Sequence, residues 1–195
     1  MEVSRHPAFF GYGSLVNRAT HDHSPAVSAR LSGWRRIWRQ TRLRPWPFLS
    51  VEPHAGTRIE GLIAAVPGAD WAALDRREAA YERTKLPPDS LTGAPGWATG
   101  VEIYAIAPRQ GEDAPRGPIL LSYLDVVVQG FLREFGPDGA ARFFSTTAHW
   151  GPVLDDRADP LYPRGQRLGM AERAIVDDHI DGLGLARQTR RAFRP

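Results

Sequence analysis

Residues 8–17 read AFFGYGSLVN, and the kind of turn formed at Gly11-Tyr12-Gly13-Ser14-Leu15 decides how the rest of the chain is assembled. AFFGY has the composition of a short buried strand that ends in a glycine turn. A dinucleotide fingerprint needs G-x-G-x-x-G and an acidic residue about 20 positions later for the ribose. Here Val16 stands where the third glycine belongs, and residues 31–40 contain no Asp or Glu. A phosphate P-loop needs Gly-Lys-Ser/Thr, and no lysine is near. A nucleophile elbow, G-x-S-x-G, fails because Ser14 does not sit between the two glycines. Two readings survive. In one, the N–H groups around Ser14, Leu15 and Val16 follow an unusual backbone path and point at one anion. In the other, the glycines merely close a hairpin, which is the simpler reading of the loop alone.

Outward from this loop, ARLSGWRRIWRQT (29–41) and RIEGLIAAVP (58–67) have strand composition and are separated by Pro- and Gly-containing turns. GADWAALDRREAAYER (68–83) predicts a helix with Asp70 as N-cap, ended by the prolines that follow Lys85. TGVEIYAIAP (99–108) returns as a strand, and a polar Pro/Gly loop follows over residues 108–118. ILLSYLDVVVQGFLREFG (119–136) has helical length and spacing. GPDGAARFFSTT (136–147) predicts a further helix with Pro137 in its first turn. MAERAIVDDHIDGLG (170–184) predicts a last one, stopped by glycines. HWGPVLDDRADPLYPRGQRL (149–168) reads as a surface loop. Strands fill the first half and helices the second, without internal repeats, so the expectation is an α+β domain and not a doubly wound sheet.

A chain of 195 residues, 42% hydrophobic and 24% charged, suits a single globular domain with a full core. No apolar run approaches the roughly 18 residues that span a bilayer. MEVSRHPAFF lacks the apolar core of a signal peptide, and the expected location is the cytoplasm. The absence of cysteine excludes disulfides, a thiol nucleophile and Cys-bound zinc. The net charge of +3 raises the possibility of a nucleic-acid partner. However, Lys85 is the only lysine and arginine is spread over most of the chain, which reads as coding bias. The one dense patch, WRRIWRQTRLRPW (34–46), is expected to be a strand with a basic, solvated face.

The helix expected at 70–83 carries the chemistry. At roughly 100° per residue, Trp71, Leu74 and Tyr81 fall on one stripe with Glu78 in its middle. A carboxylate among such neighbours is desolvated, which raises its pKa and lets it accept and return a proton near neutrality. An ion pair of Glu78 with Arg77, Arg83 or an arginine from a neighbouring strand is the structural alternative. Glu82, one turn further on, is the rival carboxylate, and Asp75 at the edge of the stripe reads as structural.

FFGYGSL (9–15) followed by ALDRREAAYER (73–83) resembles the γ-glutamylcyclotransferase superfamily, with its ChaC-like and AIG2-like branches. Tyr12-Gly13-Ser14-Leu15 matches that family's loop in its shorter form without Asn. Leu74-Asp75-Arg76-Arg77-Glu78 matches the helix that carries its single glutamate. GWRRIW (33–38) is similar to its Gly-x-Arg-Arg strand, and SYLDVVVQG (122–130) to the later helix whose tyrosine lines the pocket, here Tyr123. The resemblance covers about residues 7–130, a core on which residues 131–195 would pack as a helical C-terminal extension of the same single domain. It implies a small mixed β-barrel with flanking helices. It also implies a cofactor-free, metal-free enzyme that releases 5-oxoproline and a free amine from a small γ-glutamyl substrate such as glutathione, a γ-glutamyl peptide or a γ-glutamyl amine. Glu78 would be catalytic, and Tyr12, Gly13, Ser14, Leu15, Tyr81 and Tyr123 would bind substrate.

Other readings remain beside it. A silent member of the same fold would bind a small acid without turnover. An arginine-rich binder would use Trp34, Arg35, Arg36, Trp38 and Arg39 on nucleic acid, and ranks last. Ser14 with a distant histidine could form a hydrolase dyad. His21 and His23 lie in NRATHDHSP (17–25), which reads as a polar loop and not as a strand that would aim both at one metal. Asp155, Asp156 and Asp159 in DDRADP read as a solvated turn.

Overall fold

A computed structural model describes residues 4–108, 111–112 and 117–190. Much of the loop expected at 108–118 therefore lies outside the described residues. In chain order the elements are β1 (His6–Gly11), β2 (Ala26–Thr41), β3 (Phe48–Ala65), α1 (Ala72–Arg77), β4 (Glu82–Lys85), β5 (Leu91–Thr92), β6 (Ala98–Ala105), β7 (Gly111–Glu112), β8 (Ile119–Leu120), α2 (Leu121–Ser145), β9 (Thr147–Ala148), β10 (Val153–Asp155), α3 (Met170–Gly182) and β11 (Arg187–Thr189). The architecture is α+β. A curled, mixed half-barrel sheet runs in the order β4-β6-β1-β3-β2-β5, with β7 and β9 also pairing β2, and helices flank it. A smaller parallel sheet, β11-β10-β8, joins the C-terminal region to the segment entering α2.

The apolar run of β1 is central in the sheet, antiparallel to β3 and parallel to β6, which is why Ala8, Phe9 and Phe10 are all buried. β2 and β3 form one long hairpin from Ala26↔Ala64 to Arg39↔Phe48. Its register shifts between Ser32 and Trp34, where Gly33 takes φ +80°, a bulge that bends the ribbon. α2 closes the core with Leu124, Val127, Val128 and Phe131 at helical spacing. The two helices expected at 119–136 and 136–147 form one run with a break at Gly136 (φ +68°), and Pro137 opens the second part. Phe143, Phe144, Val176 and Ile180 join the same core cluster as the β-sheet residues, so residues beyond 131 complete the core of the first part of the chain.

Three expectations are corrected. The helix of 70–83 stops at Arg77: Glu78 is its C-cap, Tyr81 N–H returns to Glu78 O at 2.8 Å, and residues 82–85 become strand β4. Ala79-Ala80 would favour continuation, but pairing of Arg83 with Tyr104 across β4 and β6, and a 2.8 Å bond from the Tyr81 hydroxyl to Leu49 O, outweigh that preference. Trp71 stands at the N-cap position, and Asp70 Oδ1 accepts the Ala72 N–H.

Second, the basic strand is not a solvated face. Arg36, Trp38 and Arg39 are buried, while Arg35 pairs with Glu52 at 2.6 Å. Arg39 donates to Ile106 O and also pairs with Glu52. An interleaved Trp/Arg surface for nucleic acid is therefore not presented. The reason is that β2 has a face turned to α2, and Arg36 lies there with Phe131 and Phe143 rings 4.7 and 5.3 Å from its guanidinium.

Third, residues 149–168 are only partly a surface loop. Val153 and Leu154 are buried in β10, and Asp156 is buried where it accepts from the Ser122 N–H and hydroxyl and from Leu161 N–H. The DDRADP acids are thus consumed in structure: Asp155 accepts the Arg157 N–H, and Asp159 pairs with Arg190.

Candidate active site

The two glycines of the opening stretch serve a short 3-10 turn, Ser14–Val16, that follows β1. Val16 N–H returns to Gly13 O at 2.9 Å, so the amides of Gly13, Ser14 and Leu15 have no acceptor inside that turn. Gly13 is required by a close approach: a Cβ there would lie 2.8 Å from the Tyr123 hydroxyl. The turn is anchored from behind by buried Asn17, which donates to Val126 O and Gln129 Oε1 of α2, each at 3.0 Å.

This turn forms one wall of a cleft lined also by Leu49, Glu78, Tyr81, Tyr104 and Tyr123, with about 330 Å³ of empty space, part of it open to solvent. Tyr12, Gly13, Ser14, Leu15, Glu78, Tyr81 and Tyr123, the residues that the resemblance implies for the site, line the same cleft. Glu82 does not line it; it pairs with Ala105 in the β4–β6 ladder. Tyr104 was missed, since within TGVEIYAIAP it reads only as one more strand residue.

Glu78 sits where α1 ends, its side chain 15% exposed. Burial pushes its carboxyl pKa up from the ordinary 4.5, and the Arg77 and Arg164 guanidiniums pull part of the way back. Arg77 is fixed by Thr20 O at 2.9 Å and holds Glu78 Oε1 at 3.1 Å from its Nε. The ion pair considered for Glu78 therefore forms, inside the cleft and not in place of it. Arg164 belongs to the C-terminal region, which sequence reasoning could not connect to the site.

The tyrosines differ in what their hydroxyls do. Tyr12 donates to Tyr104 O at 2.6 Å and Tyr81 to Leu49 O, so both rings are held by backbone acceptors. Burial raises the pKa of both, and that of Tyr123, so all three stay neutral donors near neutrality. Tyr104 donates to Asp75 Oδ1 at 2.5 Å, and Arg83 bonds the same carboxylate at 3.0 Å. This ties α1 to β4 and β6 and supports the structural reading of Asp75. The Tyr104 hydroxyl and then Arg83 hold the Asp75 pKa below 3.8, so its contribution is present above that value and is lost as pH falls through the depressed one. Asp75 is 45% exposed, and solvent screening limits the effect. Asp75→Asn is expected to cost up to about 1 kcal/mol at pH 7 in urea unfolding, with the difference from wild type closing in strong acid. A difference that persists unchanged at low pH would contradict the charged arrangement.

His21 and His23 are not free surface groups. Their rings pack on Phe9 and on each other, and they bond Leu15 O and Ala65 O. Burial lowers the His21 pKa to about 4, leaving it neutral. Among the described residues no three His, Cys, Asp or Glu side chains converge as metal ligands, and no helix is long and apolar enough to cross a membrane.

Known proteins bear on this arrangement. A family model described as "Gamma-glutamyl cyclotransferase, AIG2-like" matches residues 9–121. No curated protein sequence matches. Among solved structures, one titled "Gamma-glutamyl cyclotransferase" is 14% identical with a TM-score of 0.56, over 89% of this chain and 99% of its own. The uncharacterized protein loc79017 from Homo sapiens is 14% identical with a TM-score of 0.57 and the same coverage. YkqA from Bacillus subtilis is 16% identical with a TM-score of 0.56, over 70% of this chain and 52% of its own. At these identities the solved structures speak to the fold alone. The matched span runs from the strand that leads into the Gly13 turn to the first residue of α2, taking in Glu78 and most of the cleft on the way, and on that match the chain belongs to the AIG2-like gamma-glutamyl cyclotransferase family.

Proposed function

We propose that the chain is a cofactor-free γ-glutamylcyclotransferase, with Glu78 as its proton-transfer group. The observation that carries this reading is the desolvated Glu78 carboxyl in a cleft whose other wall is the Gly13–Leu15 turn. In the reaction the substrate's α-amino nitrogen attacks its own γ-carbonyl carbon, the γ-amide C–N bond breaks, and 5-oxoproline and an amine leave. The nucleophile is already tethered, so the protein must fold the substrate and move protons. Glu78 takes a proton from the α-ammonium and delivers one to the departing nitrogen. The backbone amides of Gly13 and Leu15, which have no acceptor within the turn, would donate to the glutamyl carboxylate or the oxyanion, beside the Tyr123 hydroxyl that already accepts from the Ser14 amide. Tyr81 and Tyr123 border the same space with neutral hydroxyls.

The test is 5-oxoproline release from glutathione, γ-glutamyl dipeptides and γ-glutamyl amines. A base must be ionised to act, so the raised Glu78 pKa shifts the acid limb of kcat/KM to a pH above an ordinary carboxylate's 4.5. A limb at or below that value would remove Glu78 from the role. The Arg77 ion pair favours a second reading, a silent member of the fold in which Glu78 is structural and small acids bind without turnover. Thermal stabilisation by 5-oxoproline or glutamate with no release from any substrate would select it.

A further inference from the structure

Beside the Glu78 cleft lies a second pocket with about 390 Å³ of empty space, part of it open to solvent. It shares Leu49, Tyr81 and Tyr123 with the cleft, and its remaining walls include Trp38, Trp46, Phe48, Leu120 and Tyr162. Among the described residues no carboxylate lines it. Arg44, the one charged residue among the described lining, is exposed, with its guanidinium 5.9 and 5.8 Å from the Trp46 and Phe48 ring centres. Trp38 is fully buried, yet among the described residues its indole N–H has no hydrogen-bond partner, which buried tryptophans ordinarily find. The pocket is thus aromatic, and one of its walls carries an unsatisfied donor.

The C-terminal region builds part of it. Tyr162 meets Tyr123 edge to face at 4.9 Å between ring centres. It is held there by a clip in which Ser122 donates to Asp156 through its N–H (2.8 Å) and hydroxyl (2.6 Å), and Tyr162 N–H donates to Ser122 Oγ. That wall is therefore preformed and does not need a ligand to order it.

We infer that this pocket receives the substituent of the leaving amine, and that the substrates are γ-glutamyl amides of amines bearing an aromatic or bulky apolar group. This rests on the cyclotransferase reading, because cyclisation at Glu78 requires the amine to project away from the glutamyl end. The shared wall of Leu49, Tyr81 and Tyr123 puts the second pocket within reach of that projection. An apolar substituent gains by leaving water for such walls, whereas the charged carboxylate of a peptide would lose solvation there.

The experiment compares γ-glutamyl-phenethylamide with γ-glutamyl-ethylamide. Phenethylamine is a somewhat weaker base than ethylamine, so it is the fall of the kcat/KM ratio in pocket variants, and not the preference alone, that separates the pocket from the leaving group. The expected preference for the phenethylamide is about tenfold or more. Trp46→Ala and Tyr162→Ala are each expected to lower that ratio severalfold, with Phe48→Leu as the check should the Trp46 variant not fold. Turnover with a ratio near one, or glutathione consumed ahead of the phenethylamide, overturns the inference and leaves the cyclotransferase reading standing. Absent turnover, calorimetric binding is decisive. Tighter binding of the phenethylamide keeps the pocket assignment and sinks the catalytic reading, and equal or absent binding of both amides overturns the two together.

Discussion

Glu78→Gln is expected to reduce 5-oxoproline release by about 10²–10⁴-fold, the range over which a single general acid–base group acts. The amide keeps the size and hydrogen-bonding reach of the carboxyl, so Arg77 Nε still has an acceptor, but it can neither take nor return a proton. The stability consequence has the opposite sign. Glu78 has a raised pKa in the folded protein, so its environment favours the protonated form. The stability it contributes is present below the unfolded pKa and lost as pH rises through the folded one. Above that pH the ionised carboxylate is a burden on folding, and a neutral Gln removes it. The variant should therefore show a Tm at pH 8 no lower than wild type. Residual turnover above one tenth of wild type would displace Glu78 as the proton-transfer group. A large fall in Tm would instead mark it as a structural member of the Arg77 pair.

Arg36→Met is expected to destabilise the fold by about 3–5 kcal/mol, measured as a shift of the urea midpoint at unchanged slope. Arg36 is 1% exposed. Its guanidinium donates to Tyr12 O at 2.8 Å, to Thr146 Oγ1 at 3.0 Å and to Glu60 O. One side chain thus ties the loop after β1, the end of α2 and strand β3. Replacing a buried ion pair by apolar groups can be neutral when every partner is replaced too. Here two acceptors are main-chain carbonyls that no side-chain change removes, and leaving such groups unpaired costs about 1–3 kcal/mol each. Arg36→Lys keeps the charge but not the planar fork, and should fall between. A loss under about 1 kcal/mol for the methionine variant would mean that water or relaxation satisfies those oxygens. Because Tyr12 O belongs to the loop that walls the cleft, activity should fall in both variants before the protein unfolds.

The strand of β1, most of β2, the second half of β3 and the helical runs of α2 and α3 were legible from composition and local periodicity, whereas residues 48–57 of β3 and the pairing of β2 with β3 were not. Phe9 and Phe10 need no knowledge of their neighbours to be read as buried. Most residues lining the candidate cleft were named from the sequence, although the helical stripe that singled out Glu78 does not form. A glycine turn after a buried strand and a carboxylate set among aromatics are local patterns, and their order carried the family resemblance. Helix α1 shows where local reading fails. ALDRREAAYER has strong helix formers throughout, yet it ends at Arg77 because β6 offers residues 82–85 a ladder and Leu49 offers Tyr81 an acceptor. Glu78 and Tyr81 still reach one cleft, brought there by a turn and not by a shared helical face.

The basic strand fails for the same reason in reverse. Nothing local distinguishes Arg36 from Arg35, because alternation gives a side chain a face but not what covers that face. The covering surface is α2, about a hundred residues away, and it turns one arginine into a buried clamp while leaving its neighbour on Glu52. Tyr162 and Arg164 are the extreme case: in a Pro- and Asp-rich stretch with no periodicity, only the Ser122–Asp156 clip brings them to Tyr123 and Glu78. By itself the sequence determined the elements with one repeating face, the glycine turn and the carboxylate among aromatics, since propensity and periodicity act over a few residues. The tertiary structure alone decided where α1 stops, which arginines are buried and how the C-terminal region closes the second pocket, since each of these depends on hydrogen-bond partners and covering surfaces supplied by distant parts of the chain.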